Sequence, residues 1–194
     1  MKIHFMSVAY ERPVSMRTLI DCLLVQTDPR WDLIIMHDGI GSDKIHEVVG
    51  LYNDLRVNFY ETPYRMQQFG HPMRKAYLDS IDGDVQDFIL MTNDDNYYVP
   101  VFVELMLKVC NDRTGFVYCD AVHSHFQYDI LRTEIKVDRI DVGSFMVRSD
   151  VARKIGFNHF EFNGDGMYAE ECANYCRANN LEVAYIPKCL FIHN

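Results

Sequence analysis

The segment Phe88-Ile89-Leu90-Met91-Thr92-Asn93-Asp94-Asp95-Asn96 decides the fold. Its first four residues are all apolar, so they read as a strand covered on both faces; a half-exposed strand would alternate apolar with polar residues. The run then breaks into Asn-Asp-Asp-Asn, which puts two adjacent carboxylates at the carboxyl end of a buried strand. Adjacent acids repel each other, which suits a bound cation; the same composition also suits a solvated turn. A cation held by carboxylate oxygens there would be a hard ion such as Mg²⁺ or Mn²⁺.

Upstream, short β-rich runs alternate with helical periodicity. Residues 3–9 form a strand. Met16, Leu19, Ile20, Leu23 and Leu24 follow the i, i+3, i+4, i+7, i+8 spacing of an amphipathic helix, with Pro13 near its start and Asp28-Pro29 at its end. A second strand covers 33–36 and closes in His37-Asp38-Gly39. Ser42 is expected to cap a helix running to about residue 53. A third strand covers 57–60, a polar aromatic loop 61–70 and a helix 72–80. Downstream come a helix over 99–109 and a strand over 115–119. This β-α-β order predicts an α/β domain with a mostly parallel central sheet flanked by helices. Ligands of such sheets bind beyond the carboxyl ends of the strands. Tyr10-Glu11-Arg12, His37-Asp38-Gly39 and Asn93-Asp94-Asp95 all fall there.

The second half is less regular. Residues 126–137 alternate like a hairpin arm, 144–147 read as a strand, 150–155 as a helix and 158–166 as a loop. A helix over 169–179 and strands over 183–186 and 189–192 complete the chain. Glu170 and Glu171 are expected at the start of the last helix, where the dipole favours carboxylates. One of them can instead serve as a general base, with Asp165 in the preceding loop as competitor, since an attacking hydroxyl must give up its proton. His193 ends a strand-like run, either at the surface or as an imidazole held for a metal.

Composition narrows the classes. The chain has 194 residues, 48% hydrophobic and 24% charged, which fits one globular domain over 1–194. Aromatic content of 13% fits either a stacking cleft or an ordinary core. A formal net charge of −9 argues against nucleic acid as partner, although an acidic protein can still take an anion through a metal. No apolar run approaches the roughly 18 residues of a membrane helix, and the opening residues do not read as a secretory leader. Six cysteines without a CxxC pair read as reduced thiols in a cytoplasmic protein, and Cys172 and Cys176, four apart on a helix, read as core packing. Gly39-Ile40-Gly41 lacks the third glycine of a dinucleotide fingerprint, and neither a P-loop nor a GxSxG elbow occurs. His123-Ser124-His125 can bring two imidazoles to one strand face, a lesser metal candidate.

Together these stretches resemble a glycosyltransferase of the GT-A fold, close to the inverting family 2 type, from Ser7 to His193. Ser7 to Pro13 resembles that family's first strand and nucleotide-contacting turn, which implies Val8, Ala9, Tyr10, Glu11 and Arg12 at the nucleotide. His37-Asp38-Gly39 resembles the Asp-Gly pair whose Asp contacts the base. Ile89 to Pro100 resembles the strand, DxD motif and trailing proline; Asn93 stands in place of the first Asp and keeps only a hydrogen bond to ribose. The resemblance implies Asp95, Asp94 and His193 as metal ligands. It places Gly143 and Ser144 in a stretch, Asp141 to Arg148, lining the donor-sugar and acceptor pocket, and Arg74 with Lys75 toward the diphosphate. Glu170-Glu171 with Arg177 resembles the ED motif, with Glu171 in place of the usual base Asp.

The implied activity is metal-dependent transfer of a sugar, from a UDP-sugar by family habit, to a hydroxyl of a glycan, lipid or protein, with inversion and with Mn²⁺ or Mg²⁺. Residues 1–100 would form the nucleotide-binding half and 101–194 the acceptor half. The alternative is a non-catalytic nucleotide-sugar or glycan-binding module of the same fold, signalled by Asn93. A nucleotidyltransferase would carry a Gly-rich basic loop after the first strand, and Tyr10-Glu11-Arg12-Pro13 is not one.

Overall fold

A computed structural model describes residues 1–81 and 86–194. The chain runs β1 (Ile3–Ala9), α1 (Pro13–Leu24), β2 (Trp31–His37), α2 (Asp43–Val49), β3 (Val57–Glu61), α3 (His71–Ser80), β4 (Phe88–Asn93), β5 (Tyr97–Tyr98), α4 (Phe102–Lys108), β6 (Thr114–His123), β7 (Asp129–Leu131), β8 (Phe145–Arg148), α5 (Ser149–Ile155), α6 (Gly164–Ala178) and β9 (Glu182–His193). The strands form one sheet in the order β3-β2-β1-β4-β8-β6-β9-β5, with β7 on β6. β4 is central, parallel to β1 and antiparallel to β8. The first four strands are parallel, as their helical crossovers require. Beyond β4 the sheet is mixed, because β6 runs antiparallel to β8 and parallel to β9 while β5 runs antiparallel to β9.

Helices cover both faces. Along β1, Ile3 and Phe5 join the core under α1 and α4, whereas Met6 and Val8 join the one under α3, α5 and α6. Leu90 and Met91 divide in the same way along β4, which is why that strand is apolar without alternation. Cys172 and Cys176 are buried in the second core, and all six cysteines are free. Among the described residues, no helix is long and apolar enough to cross a membrane.

Several boundaries differ from those the sequence predicts. α2 stops at Val49, and Ser42 makes no side-chain cap; its N–H donates to Glu11 Oε1 instead. α4 starts at Phe102, and residues 126–137 hold only β7 and turns. The two predicted terminal strands are one strand, β9, with register shifts opposite residues 119–121. The largest difference is α6, which starts about a turn earlier than expected. Gly164 and Gly166 weaken the helical signal, yet packing requires them. A Cβ at Gly164 would lie 2.6 Å from the His159 carbonyl oxygen, and one at Gly166 2.8 Å from Val137 Cα. Asp165 therefore sits in the first helical turn, not in a loop, and Glu170 and Glu171 sit mid-helix rather than at its start.

Candidate functional site

Parallel registry sets the carboxyl ends of three strands side by side: Ala9 beside His37, and Val8 beside Asn93. A cleft of about 370 Å³ opens there, lined by Val8, Ala9, Tyr10, Arg12, Asp38 and Arg65, among others. The Arg65 guanidinium lies 3.5 Å from the Tyr10 ring centroid, a cation–π stack open to solvent on one side. Glu11 is turned away from this cleft. Its carboxylate accepts from the Ser42 N–H, which holds it below the usual range. Its own N–H donates to His37 Nε2, so the His37 proton sits on Nδ1, 2.7 Å from the Gly39 oxygen.

Asp38 is buried, and both its oxygens are taken, accepting from the N–H groups of Met66 (2.5 Å) and Gln67 (3.0 Å). It thus pins a loop of unusual backbone. Gln67, Gln68, Phe69 and Gly70 have φ of +59°, +49°, +57° and +77°. The left-handed region costs a non-glycine residue roughly 1–2 kcal/mol, and only glycine fits at 70, where a Cβ would lie 2.4 Å from Val8 Cγ1. Arg74 holds the far end by donating to the Phe69 carbonyl at 2.8 Å. Such strain persists where surrounding contacts over-determine it. The outcome is Phe69, 60% exposed, at the brink of two clefts.

The acidic motif is partly neutralised from within. Asp94 is fully buried and accepts from the Tyr10 N–H at 3.3 Å. The Arg12 guanidinium lies 2.5 Å from Asp94 Oδ1 and also pairs with Asp95. Burial, opposed by Arg12 and reinforced by Asp95, pushes the Asp94 carboxyl up to about 7. Asp95 Oδ1 is buried and without a partner, an oxygen left over for a cation. Asn93 accepts from Arg74 Nη2 at 2.6 Å, and Asn96 donates to Thr92 Oγ1 at 3.0 Å.

A second cleft of about 330 Å³ shares Asn93 and Phe69 with the first, and Arg74, His123, Asp141, Asp165 and His193 all line it. Arg74 is almost fully buried, its Nε has no partner, and burial lowers it to about 10 against the pull of Asp165 and Asp141. It remains a cation at neutral pH. Its neighbour Lys75 points elsewhere and pairs with Asp79.

His123, Asp141 and His193 bring one ligand atom each to within 4.8 Å of one another, a possible metal centre. The turn at Val142 to Ser144 builds it: the Gly143 N–H donates to Asp141 Oδ1 at 2.8 Å, and Ser144 Oγ donates to the Asp141 carbonyl at 2.7 Å. Asp141 Oδ2 is left 3.5 Å from His123 Nε2 and 3.8 Å from His193 Nε2. The two imidazoles stack at 4.0 Å, and His193 Nδ1 is fixed by Ser124 Oγ at 2.8 Å. Burial opposes the charge on Asp141, yet the His123 contact, His193 and the Gly143 N–H together hold it below the usual carboxylate range. Burial lowers His193, against the pull of Asp141. A carboxylate and two imidazoles suit a divalent ion of the Mn²⁺ to Zn²⁺ series, and the hydrogen bonds from Gly143 to Asp141 and between Ser124 and His193 orient them for one.

The three candidate bases part company. Asp165 lines the second cleft and accepts from the Val142 N–H at 3.3 Å; burial and the charge of Asp141 push it up to about 6. Glu170 accepts from the Val137 N–H at 2.8 Å. Glu171, 47% exposed, pairs with His159 at 3.0 Å. Neither glutamate lines either cleft. Gly143 and Ser144 are buried beneath the second cleft, supporting Asp141, and Arg177 pairs with Asn174 at the exposed end of α6. Arg65, Phe69, Phe162 and Asp141 had no motif of their own in the sequence. The only signals were the aromatic character of 61–70, the His-Ser-His run, and the place of Asp141 at the head of a quoted stretch.

No family model and no curated protein matches the sequence. Solved structures do match. TarS from S. aureus (fragment 1-349) superposes with a TM-score of 0.74 at 13% identity, over 100% of this chain and 60% of that one. The same fragment in complex with UDP-GlcNAc gives 0.73 at 12%, over 99% and 58%. The mannosyltransferase PcManGT from Pyrobaculum calidifontis, in complex with GDP-Man and Mn²⁺, gives 0.70 at 14%, over 99% and 56%. The chain thus has a GT-A-type glycosyltransferase fold while spanning about 60% of the TarS fragment it matches.

Proposed function

We propose that this chain transfers a hexosyl group from a nucleoside diphosphate sugar to an acceptor hydroxyl, with the donor lying across the two clefts. One observation carries the reading: the clefts meet at Asn93 and Phe69, with Arg12 on one side and Arg74 on the other. A diphosphate at that junction would find two guanidinium groups, one of them buried with an unpartnered N–H. The nucleoside fits the cleft of Val8, Ala9, Tyr10 and Arg65. The loop that Asp38 pins forms its roof, so Asp38 acts on the base through residues 65–67. A uridine donor is favoured, after TarS, with a guanosine donor as the alternative, after the mannosyltransferase. Six free cysteines fit a reducing, cytoplasmic setting.

In the reaction the acceptor oxygen forms a bond to the anomeric carbon as the bond from that carbon to the phosphate oxygen breaks. The pair of electrons leaves with the diphosphate, and the hydroxyl proton passes to a carboxylate. Asp165 is that base, because it alone of Asp165, Glu170 and Glu171 lines the cleft. Attack from the side opposite the diphosphate inverts the configuration. Arg12 and Arg74 neutralise the charge that gathers on the leaving group. A divalent ion would be held by His193 with His123 and Asp141, and by Asp95 through its free Oδ1. It would supply further neutralisation of the diphosphate.

The test is a thermal-shift screen of UDP-glucose, UDP-GlcNAc and GDP-mannose with and without Mn²⁺, followed by NMR detection of released nucleotide and product anomer. Stabilisation by one donor and inverted product are expected. No stabilisation by any donor in either condition sinks the reading. The Arg12 clamp on Asp94 and Asp95 favours a second reading, a binding module without turnover; donor binding with no nucleotide release to water or to any acceptor selects it.

A further inference from the structure

We infer that the acceptor is a saccharide, and that its terminal ring stacks on Phe162 with its hydroxyls facing Asp138 and Asp165; this rests on the transferase reading above. Phe162 is 66% exposed, although it belongs to the lining of the second cleft. It stands between two other rings of the same wall, Phe69 at 5.5 Å edge-on and His125 at 6.3 Å nearly parallel. The wall continues through His125 to His193 at 5.2 Å, so the aromatic surface runs from the mouth of the cleft to the metal candidates.

The exposure of Phe162 belongs to a fastened loop. His71 Nε2 donates to the Glu161 carbonyl at 3.0 Å, the Gly164 N–H donates to the same carbonyl at 3.0 Å, and His159 is tied to Glu171. An apolar ring fixed in this way against water has surface to gain by covering. Glu170 accepts from the Val137 N–H, next to Asp138, which also lines this cleft.

The chemistry of this lining selects the occupant. Aromatic faces are electron-rich and attract the weakly positive C–H bonds on the apolar face of a sugar ring. Asp138 and Asp165 accept hydroxyl hydrogen bonds. An alkyl chain would find aromatic cover beside carboxylates to which it can offer no hydrogen bond. A saccharide presents an apolar face and a polar edge together, which matches both parts of this lining. The acceptor step balances as in the proposed reaction: the sugar hydroxyl oxygen bonds the donor carbon, its proton goes to Asp165, and the nucleoside diphosphate departs with the bonding electrons.

The experiment is NMR titration of the full chain, labelled at phenylalanine ring carbons, with methyl hexosides and with cellotriose, maltotriose and chitotriose, with and without UDP or GDP and Mn²⁺. At least one saccharide should shift the Phe162 ring signals. Phe162→Ala should weaken its binding at least tenfold, Phe162→Trp should restore it, and nucleotide binding should be unchanged in both variants. Saccharide binding that ignores Phe162→Ala overturns the inference. So does the failure of every saccharide while UDP or GDP binds, and so do decyl phosphate micelles binding through Phe162 where no saccharide does. Saccharides binding through Phe162 in a protein that binds no nucleotide would instead overturn the transferase reading and leave this site standing.

Discussion

Arg12 and Asp94 form an ion pair, Nη2 to Oδ1 at 2.5 Å, in which the carboxylate is fully buried and the guanidinium nearly half exposed. The same guanidinium reaches Asp95. The chain therefore supplies its own cation to the acidic motif that a metal would otherwise neutralise.

Replacing Arg12 with Ala removes that cation. It leaves Asp94 buried and unpaired, and folding stability should drop by about 2 kcal/mol, below the usual range for a broken buried pair because Arg12 is partly in water. Donor affinity should fall about tenfold, the worth of one charge-assisted hydrogen bond. Affinity for Mn²⁺ alone should rise, since Asp95 is released. Urea unfolding and calorimetric titration read the three changes; unchanged Mn²⁺ affinity would show that Arg12 and the ion do not compete.

Asp165→Asn should keep donor binding and lower kcat by about 10²–10⁴-fold, the usual contribution of a positioned base. The base must be ionised, and Asp165 is pushed up to about 6. In the parent protein kcat/KM should climb as pH rises through about 6 and then level off, and the variant should lose that limb. A variant with parental turnover would return the role to Glu171 or Glu170.

Removing the imidazole in His193→Ala should weaken Mn²⁺ binding by at least about tenfold, no less than the loss of an outer-shell partner. His123→Ala and Asp95→Ala then separate the two ligand sets. A loss in the first variant alone assigns the ion to the His123 and Asp141 side; a loss in the second alone assigns it to the acidic motif.

His71 should give a measurable acid sensitivity. Burial, then the Arg74 charge, lower it to about 4. Above its ordinary pKa of about 6.5 it is neutral in both states, and its contribution to folding is complete. Between about 6.5 and 4 the unfolded chain takes up a proton that the folded chain refuses, so stability is lost as pH falls. Asp94 and Asp165, pushed upward, act in the opposite sense, so the readout is a difference between proteins. The stability advantage over His71→Gln should shrink by about 3 kcal/mol between pH 7 and 4, as measured by chemical denaturation.

Gln68→Gly should raise the melting temperature by a few degrees, because glycine relieves about 1 kcal/mol of left-handed strain while adding some freedom to the unfolded chain. If the strain serves to hold Phe69 in place, donor affinity in the same variant should fall.

Much of this was legible in the sequence. The apolar run of β4 and the strand ends at Ala9, His37 and Asn93 followed from periodicity, because each strand there is long, apolar and flanked by turn chemistry. The site was legible where a residue follows its strand directly, and the family resemblance or the loop reading added Arg74, Asp165 and His193 of the second cleft. Arg12, Asp94 and Asp95 stand beside strand ends, but their mutual pairing was not legible, since it joins residues 82 and 83 positions apart. Arg65 and Phe69 lie in a loop whose course is set by Asp38 and by left-handed backbone, and neither leaves a periodic trace. The start of α6 was displaced by Gly164 and Gly166, whose presence reflects close packing on 137 and 159 rather than the end of a helix. That displacement moved Asp165 from a loop to a helical turn and drew attention to Glu171.

Phe69 and Asn93 belong to the walls of both clefts. If the chain is the proposed transferase, a molecule settling in one compartment touches surfaces that its companion would use in the other, and any such influence must be mutual. Whatever factor the nucleotide lends to retention of the second substrate, that substrate must return to the nucleotide. On the transferase reading, the partition between the compartments is thus also a line of communication.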